Sequence, residues 1–235
     1  MLSLLVPPDC GACGDFRPFE EPGVALPELC ADCSARLRDE VSGAEGHLDP
    51  VEIGSRAAPL RVWSCGAFEG LLRDLIRSLK YNGQRGLVRP VGQLLADRAA
   101  TITGPPCELV VPVAIHWRRF AGRGFNQAWL LGERVGHRLG CPQLPALVRR
   151  AAVRPQVGLA ELERRDNVAQ AFSVRGKHSS KVRGRNLLVV DDVCTTGATL
   201  RACAAVLREA GAASVRALVL ARTTRSGDSG LITCL

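Results

Sequence analysis

The chain has 235 residues, an apolar fraction of 46%, a charged fraction of 23% and a net charge of +8, which suits one α/β domain plus a small appendage. No uninterrupted apolar run approaches the roughly 20 residues of a membrane span, and Met1 to Cys10 lack the basic start and long apolar stretch of a signal peptide, so a cytoplasmic location is expected. The charge is uneven: residues 1–60 carry 4 basic and 11 acidic side chains, net −7, and residues 61–235 carry 27 and 12, net +15. A basic body suits polyphosphate ligands or nucleic acid, and equally an acidic segment docked onto it.

In chain order, the first feature is a set of cysteines. Ten are present, and in a reducing compartment they do not read as a disulfide framework. Four are arranged as Cys10-x-x-Cys13, sixteen residues, then Cys30-x-x-Cys33. Two such turns converge on one tetrahedral zinc, in a segment whose Pro, Gly and acidic residues offer almost no core of their own. Four thiolates leave no open coordination position, so Cys10, Cys13, Cys30 and Cys33 are expected to hold a structural zinc. Residues 1–45 then form a zinc-binding module, 46–60 a polar linker, 61–222 the main domain and 223–235 a flexible tail.

The main domain opens with an expected strand near Leu60 to Phe68. Phe68, Leu71, Leu72, Leu75, Ile76 and Leu79 follow at helical spacing, and the helix ends at Lys80-Tyr81-Asn82-Gly83. With 3 Lys against 28 Arg in the chain, Lys80 has either a positional reason or the ordinary one of a cation at a helix C-terminus. Leu109 to Ile115 reads as a second buried strand, followed by a cationic loop, His116 to Gln127, and a helix through about Leu139. Arg118, Arg119 and Arg123 in that loop suit a pyrophosphate clamp. Interleaved with Trp117, Phe120 and Phe125 they suit single-stranded nucleic acid equally, and a solvated loop remains open. Arg149 to Phe172, with Gln156, Arg164, Arg165 and Asn167, reads as a polar-faced helix, and Ser214 to Ala221 as the last strand. Alternating helices and apolar strands indicate a mostly parallel sheet.

The chemistry concentrates in Asn186 to Leu200. Leu187 to Val190 reads as a buried parallel strand, Asp191 and Asp192 as its exposed acidic tip, and Thr195, Thr196, Gly197, Ala198 and Thr199 as a tight loop opening a helix. Small residues at a helix N-terminus leave backbone N–H groups aligned with the positive end of the helix dipole, which is an anion site. Gly197 permits close approach or positive φ, and two acceptor-only carboxylates suit vicinal hydroxyls or a metal ion. Neither a nucleotide-triphosphate P-loop nor a Gly-x-Gly-x-x-Gly pattern is present.

This stretch resembles the type I phosphoribosyltransferases, whose loop for phosphoribosyl pyrophosphate (PRPP) is an apolar strand, an acidic pair and Thr-Thr-Gly-x-Thr. With Val-Pro-Val-x-x-His at 111–116, Arg-Gly-Phe-Asn-Gln-Ala at 123–128, Gln156, Arg164-x-x-Asn167, Ala171-Phe172 and the four cysteines, nearly the whole chain is similar to the ComF/GntX group. Ala114 stands where that group usually has a second Pro. The resemblance implies a phosphoribosyltransferase-like sheet with a hood formed by the 149–172 region. It makes Asp191 and Asp192 the candidate catalytic pair on the ribose hydroxyls, with the 5′-phosphate on Thr195 to Thr199. Arg118, Arg119, Arg123 and Lys80 would take the pyrophosphate, with Mg²⁺ accompanying PRPP. Pentosyl transfer to an unidentified acceptor is the implied reaction; a PRPP-sensing regulator, or a single-stranded DNA-binding accessory of DNA uptake, are the alternatives. Partners in DNA uptake are implied likewise, and self-association into a homo-oligomer is left open.

Overall fold

The structure, a computed structural model, describes residues 9–15, 26, 28–42, 50–54, 58–81, 83–149 and 171–223. Strands β1 (Val51–Ile53), β2 (Leu60–Ala67), β3 (Leu109–Pro112), β6 (Asn186–Cys194) and β7 (Ser214–Arg222) form one sheet in the order β1-β2-β7-β6-β3. β2, β7, β6 and β3 are mutually parallel, and β1 runs antiparallel on the β2 edge. β4 (Leu147–Arg149) and β5 (Phe172–Val174) pair antiparallel as a separate ribbon.

The helices are α1 (Ala31–Ser42), α2 (Gly70–Tyr81), α3 (Val88–Ala100), α4 (Trp117–Arg123), α5 (Gln127–Leu139), the single turn α6 (Ser179–Val182) and α7 (Ala198–Glu209). They split between the sheet's two faces because strand side chains alternate. Leu188, Val190, Leu218 and Leu220 pack with Leu75, Leu79, Leu95 and Leu131 on one face. Leu187, Val189, Ala217 and Val219 pack with Leu200, Leu207 and Phe172 on the other.

Three segments depart from the sequence expectation. Val51–Ile53, inside the stretch expected to be linker, pairs with β2 in the register Val51↔Val62 to Ile53↔Leu60. β-branched Val51 and Ile53 flank Glu52, so one short alternation suffices to add an edge strand. The strand beginning at Leu109 stops at Pro112 rather than Ile115. The cationic segment that follows is a helix, α4, because His116 caps it, Nδ1 accepting from Arg118 N at 3.2 Å, and Gly124 ends it at φ 72°. Arg150 to Gln170, with Gln156, Arg164, Arg165 and Asn167, lies outside the described residues, as do 224–235.

The cysteine-bearing segment does not stand apart from the sheet. Cys10, Leu29, Cys33 and Leu37 belong to the same apolar cluster as Trp63, Leu72 and Leu75. α1 also caps α2: the Glu40 carboxylate accepts from Leu71 N at 2.8 and 3.1 Å and from Leu72 N at 3.2 Å. A carboxylate at a helix N-terminus satisfies orphan N–H groups and complements the dipole. Glu40→Ala is therefore expected to lower stability by about 0.5–2 kcal/mol, read as a drop in the urea midpoint at unchanged slope; an unchanged midpoint would show that the cap contributes nothing.

Candidate functional site

β6 outlasts its neighbour β3. Their pairing runs from Leu109↔Leu187 to Pro112↔Val190, whereas β6 pairs with β7 as far as Cys194↔Arg222. Asp191 and Asp192 are therefore inside a strand, not at an exposed tip as expected from sequence, and on one side of them the sheet has no neighbour. The gap opens a cleft at the carboxyl ends of the parallel strands, where α/β sheets bind ligands.

Strand alternation sends the two carboxylates to opposite faces. Asp192, 9% exposed, meets the Lys80 ammonium at 2.9 Å. Lys80 sits there because it is in the last turn of α2, which packs on that face. Asp191 accepts from the backbone N–H of Asp192 at 2.9 Å. Burial and then the charge of Asp192 push the Asp191 carboxyl up to about 7, with Lys80 and Arg149 pulling the other way.

One cavity of about 350 Å³ gathers the chemistry. Two carboxylates, Asp191 and Asp192, and the threonines Thr195 and Thr199 face four cations, Lys80, Arg119, Arg123 and Arg149. Arg123 lies over the Tyr81 ring at 5.3 Å and donates to Gln127 Oε1 at 3.2 Å. Asn126 caps α5 through Ala128 N at 3.1 Å while its Nδ2 donates to Val113 O at 3.0 Å, which ties the helix start to the end of β3.

Of the expected site residues, Lys80, Arg119, Arg123, Asp191, Asp192, Thr195 and Thr199 line this cavity. Arg118 does not; its guanidinium lies over Trp117 at 5.4 Å. Thr196, Gly197 and Ala198 shape the loop behind it. Gly197 has φ 70°, and a Cβ there would stand 2.5 Å from Ile53 Cδ1, so both reasons for a glycine apply. Arg201 Nη1 donates to Thr196 O at 2.8 Å, and Thr223 N to Cys194 O at 3.0 Å. Arg149 was not singled out as a site residue by the sequence: it belongs to β4, far along the chain, and only the β4–β5 ribbon carries it to the Asp191 face.

A second cavity, about 620 Å³, adjoins the first through Ala114, Ile115, Asn126 and Arg149. Trp117, Phe120 and Trp129 line it and are 62%, 50% and 36% exposed. Phe125, expected to join them, also lines the cavity but is only 7% exposed and lies beneath Arg85 at 4.8 Å.

The four sulfurs of Cys10, Cys13, Cys30 and Cys33 lie within 4.8 Å of one another. Cys13 and Cys30 are 3.9 Å apart, near the roughly 3.8 Å edge of a tetrahedron with metal–sulfur bonds of about 2.3 Å. Backbone N–H groups of Cys30 and Ala12 point at Cys10 Sγ, at 3.3 and 3.5 Å. Burial pushes the Cys10 thiol up, but such hydrogen bonds outweigh it and bring it to about 7. The donor set fits a soft or borderline divalent ion.

Comparison with known proteins accords with this architecture. A family model for the phosphoribosyl transferase domain matches residues 137–229. Competence protein F of Haemophilus influenzae is 30% identical over 222 residues, covering 92% of this chain and 85% of that protein. The chain belongs to the ComF family. The DNA utilization protein YhgH of Escherichia coli is 33% identical over 211 residues, covering 83% of this chain and 90% of that one. Among solved structures, a glutamine PRPP amidotransferase from Bacillus subtilis is similar at a TM-score of 0.43 and 18% identity, covering 61% of this chain and 30% of that enzyme; the chain spans under a third of that enzyme's length. The main domain is thus a phosphoribosyltransferase-like domain within a competence and DNA-utilization family. Among the described residues no helix is long and apolar enough to cross a membrane.

The raised Asp191 carboxyl makes a prediction for the ligand-free protein. Unfolding returns its pKa from about 7 to 3.8, so the folded state binds the extra proton between these values and loses stability as pH rises through them. Asp191→Asn should therefore unfold at the same temperature as the parent near pH 4 and at a progressively higher one up to pH 7, with no further divergence above. A difference that does not change with pH would overturn the assignment.

Proposed function

We propose that the smaller cavity binds PRPP with Mg²⁺ and that the protein transfers its pentosyl group to an acceptor. The supporting observation is the single cavity in which four cations face two carboxylates beside the N-terminus of α7. In this reading the diphosphate lies among Lys80, Arg119 and Arg123. Asp191 and Asp192 take the ribose hydroxyls, and the Thr195–Thr199 loop takes the 5′-phosphate through backbone N–H groups and hydroxyls. Two carboxylates and threonine hydroxyls form an all-oxygen set that suits a hard cation, which would screen the diphosphate charge.

The residues' roles follow from charge. Breaking the bond between C1 and diphosphate leaves positive charge on the sugar and negative charge on the leaving group. The carboxylates stabilise the first and the cations the second. Lys80 must leave Asp192 before a ribose hydroxyl can replace it, and the diphosphate offers the ammonium a new anionic partner within the same cavity. Arg149 keeps a positive charge near Asp191 and so favours its ionised form when a diol binds.

A second reading is supported by the exposed aromatic set. Trp117, Phe120 and Trp129, with Arg118 stacked on Trp117, form the kind of surface on which unpaired bases stack. The relatives' names point to DNA. Single-stranded DNA would run along this face, and its affinity would fall steeply with salt.

Titration calorimetry separates the readings. The parent should bind PRPP with Mg²⁺, and Asp191→Asn with Asp192→Asn should weaken it at least about tenfold, since each charge-assisted hydrogen bond contributes about 1.5–3 kcal/mol. Inorganic phosphate should still bind the double variant, because the start of α7 is untouched. Gly197→Val should weaken both ligands. No PRPP binding by the parent, or unchanged affinity in the double variant, sinks the first reading; single-stranded DNA binding that is insensitive to Trp117→Ala sinks the second.

For the four-cysteine cluster we infer a structural zinc. Purified protein should contain about one zinc per chain, and its removal by chelation should lower the unfolding temperature, because Cys10 and Cys33 share the core of the sheet. Protein free of metal with four freely titratable native thiols would refute this.

A further inference from the structure

Cys107 and Cys141 lie at the opposite end of the sheet from the carboxylate cavity. Cys107 ends the Pro105-Pro106 segment that enters β3, and Cys141 follows Gly140 at the end of α5. Their sulfurs are 3.5 Å apart, with Cys141 donating to Cys107. Both backbones are held in place: Glu108 N donates to Asn186 O at 3.0 Å, Cys141 N to Gly136 O at 3.0 Å, and Val110 N to Pro142 O at 3.0 Å. A disulfide needs the sulfurs at about 2.05 Å, so they must approach by roughly 1.5 Å for the bond to close. Both residues are partly exposed, whereas Cys65, Cys194 and Cys203 are buried.

A cavity of about 220 Å³ opens beside Cys107, and Arg216 lines it. Arg216 is 7% exposed. Its terminal nitrogens donate to the carbonyls of Thr103, at 2.9 Å, and Pro105, and Nε has no partner. Neither acceptor is charged, so a buried guanidinium faces the cavity without a counter-ion among these contacts. A thiolate is the anion at hand. Hydrogen bonding from Cys141 lowers the Cys107 thiol first, burial opposes it, and Arg216 adds to the lowering. Burial raises Cys65, Cys194 and Cys203 instead. A thiolate beside a cation, open to a cavity and next to a second thiol, is the setting of a reactive cysteine.

We propose that Cys107 and Cys141 are a peroxide-reactive thiol pair, Cys107 attacking and Cys141 resolving, that closes reversibly to a disulfide. The Cys107 thiolate attacks one oxygen of hydrogen peroxide, the O–O bond breaks, and hydroxide leaves and takes up a proton as water. The Cys141 sulfur then attacks the Cys107 sulfenic acid, the S–O bond breaks, and a second water carries away the Cys141 proton. Two thiols lose two electrons and peroxide becomes two waters. A dithiol reverses the bond by exchange. The product staples the entry to β3 to the end of α5.

The test treats the full chain, metal retained, with one equivalent of hydrogen peroxide at neutral pH, followed by alkylation under native conditions and peptide mapping. The Cys107–Cys141 disulfide should be the main product and should disappear with dithiothreitol. Cys141→Ser should stop at a Cys107 sulfenic acid trapped by dimedone, and Cys107→Ser should leave Cys141 unreacted. Arg216→Lys should react near the parental rate and Arg216→Gln measurably more slowly, as for a smaller thiolate fraction; the cysteine variants read the proposal even where Arg216→Gln fails to fold. Oxidation of the Cys10–Cys33 cluster ahead of an intact Cys107, or a Cys107 no faster than in the urea-unfolded chain, would overturn it.

Discussion

The site exists because one strand is longer than its neighbour. β6 loses β3 at Val190 and continues to Cys194 beside β7 alone. Two consecutive residues in that overhang present carboxylates to both faces of the sheet, and both stay close to the loop that starts α7. Had β3 run on to Ile115, its ladder would have closed the cleft. His116 capping α4 and Asn126 bonding Val113 O are what turn the chain aside at that point. The cleft is thus a by-product of where a sheet stops pairing.

That geometry sets an electrostatic problem. Adjacent carboxylates in a desolvated cleft repel one another, and the fold answers unequally. Asp192 has an ion pair with Lys80, while Asp191 accepts from a backbone N–H, and burial holds its proton above the ordinary carboxylate range. The cleft therefore carries an internal cation on Asp192, at 2.9 Å. Arg119 and Arg123 add two further cations to the same cavity.

Much of this was legible in the sequence, for reasons that differ by element. Apolar runs such as Leu187 to Val190 and the helical spacing of Leu71 to Leu79 are local patterns, and both stand where expected. The Asp-Asp-x-x-Thr-Thr-Gly loop and the paired cysteines are short motifs whose chemistry is carried by neighbours in the chain. What could not be read depends on contacts between distant segments. Arg149 faces Asp191 only because a ribbon delivers it, β1 forms only because β2 offers an edge, and Phe125 is largely covered because Arg85 lies over its ring. The end of β3 was misplaced because Val113, Ala114 and Ile115 are as strand-like in composition as the four residues before them.

Helix α2 joins two regions that sequence keeps far apart. Its first turn is held by Glu40 of α1, seven residues beyond the last cysteine of the cluster at Cys33, and its last turn carries Lys80 to Asp192. The distance between those ends is about 17 Å along a rod that rises about 1.5 Å per residue. One helix therefore carries, at its two ends, the contact with α1 and the contact with the carboxylate pair. The cysteine cluster and the charge inside the cleft are thus joined by a short path of two helices and one carboxylate, from Cys33 through Glu40 to Lys80.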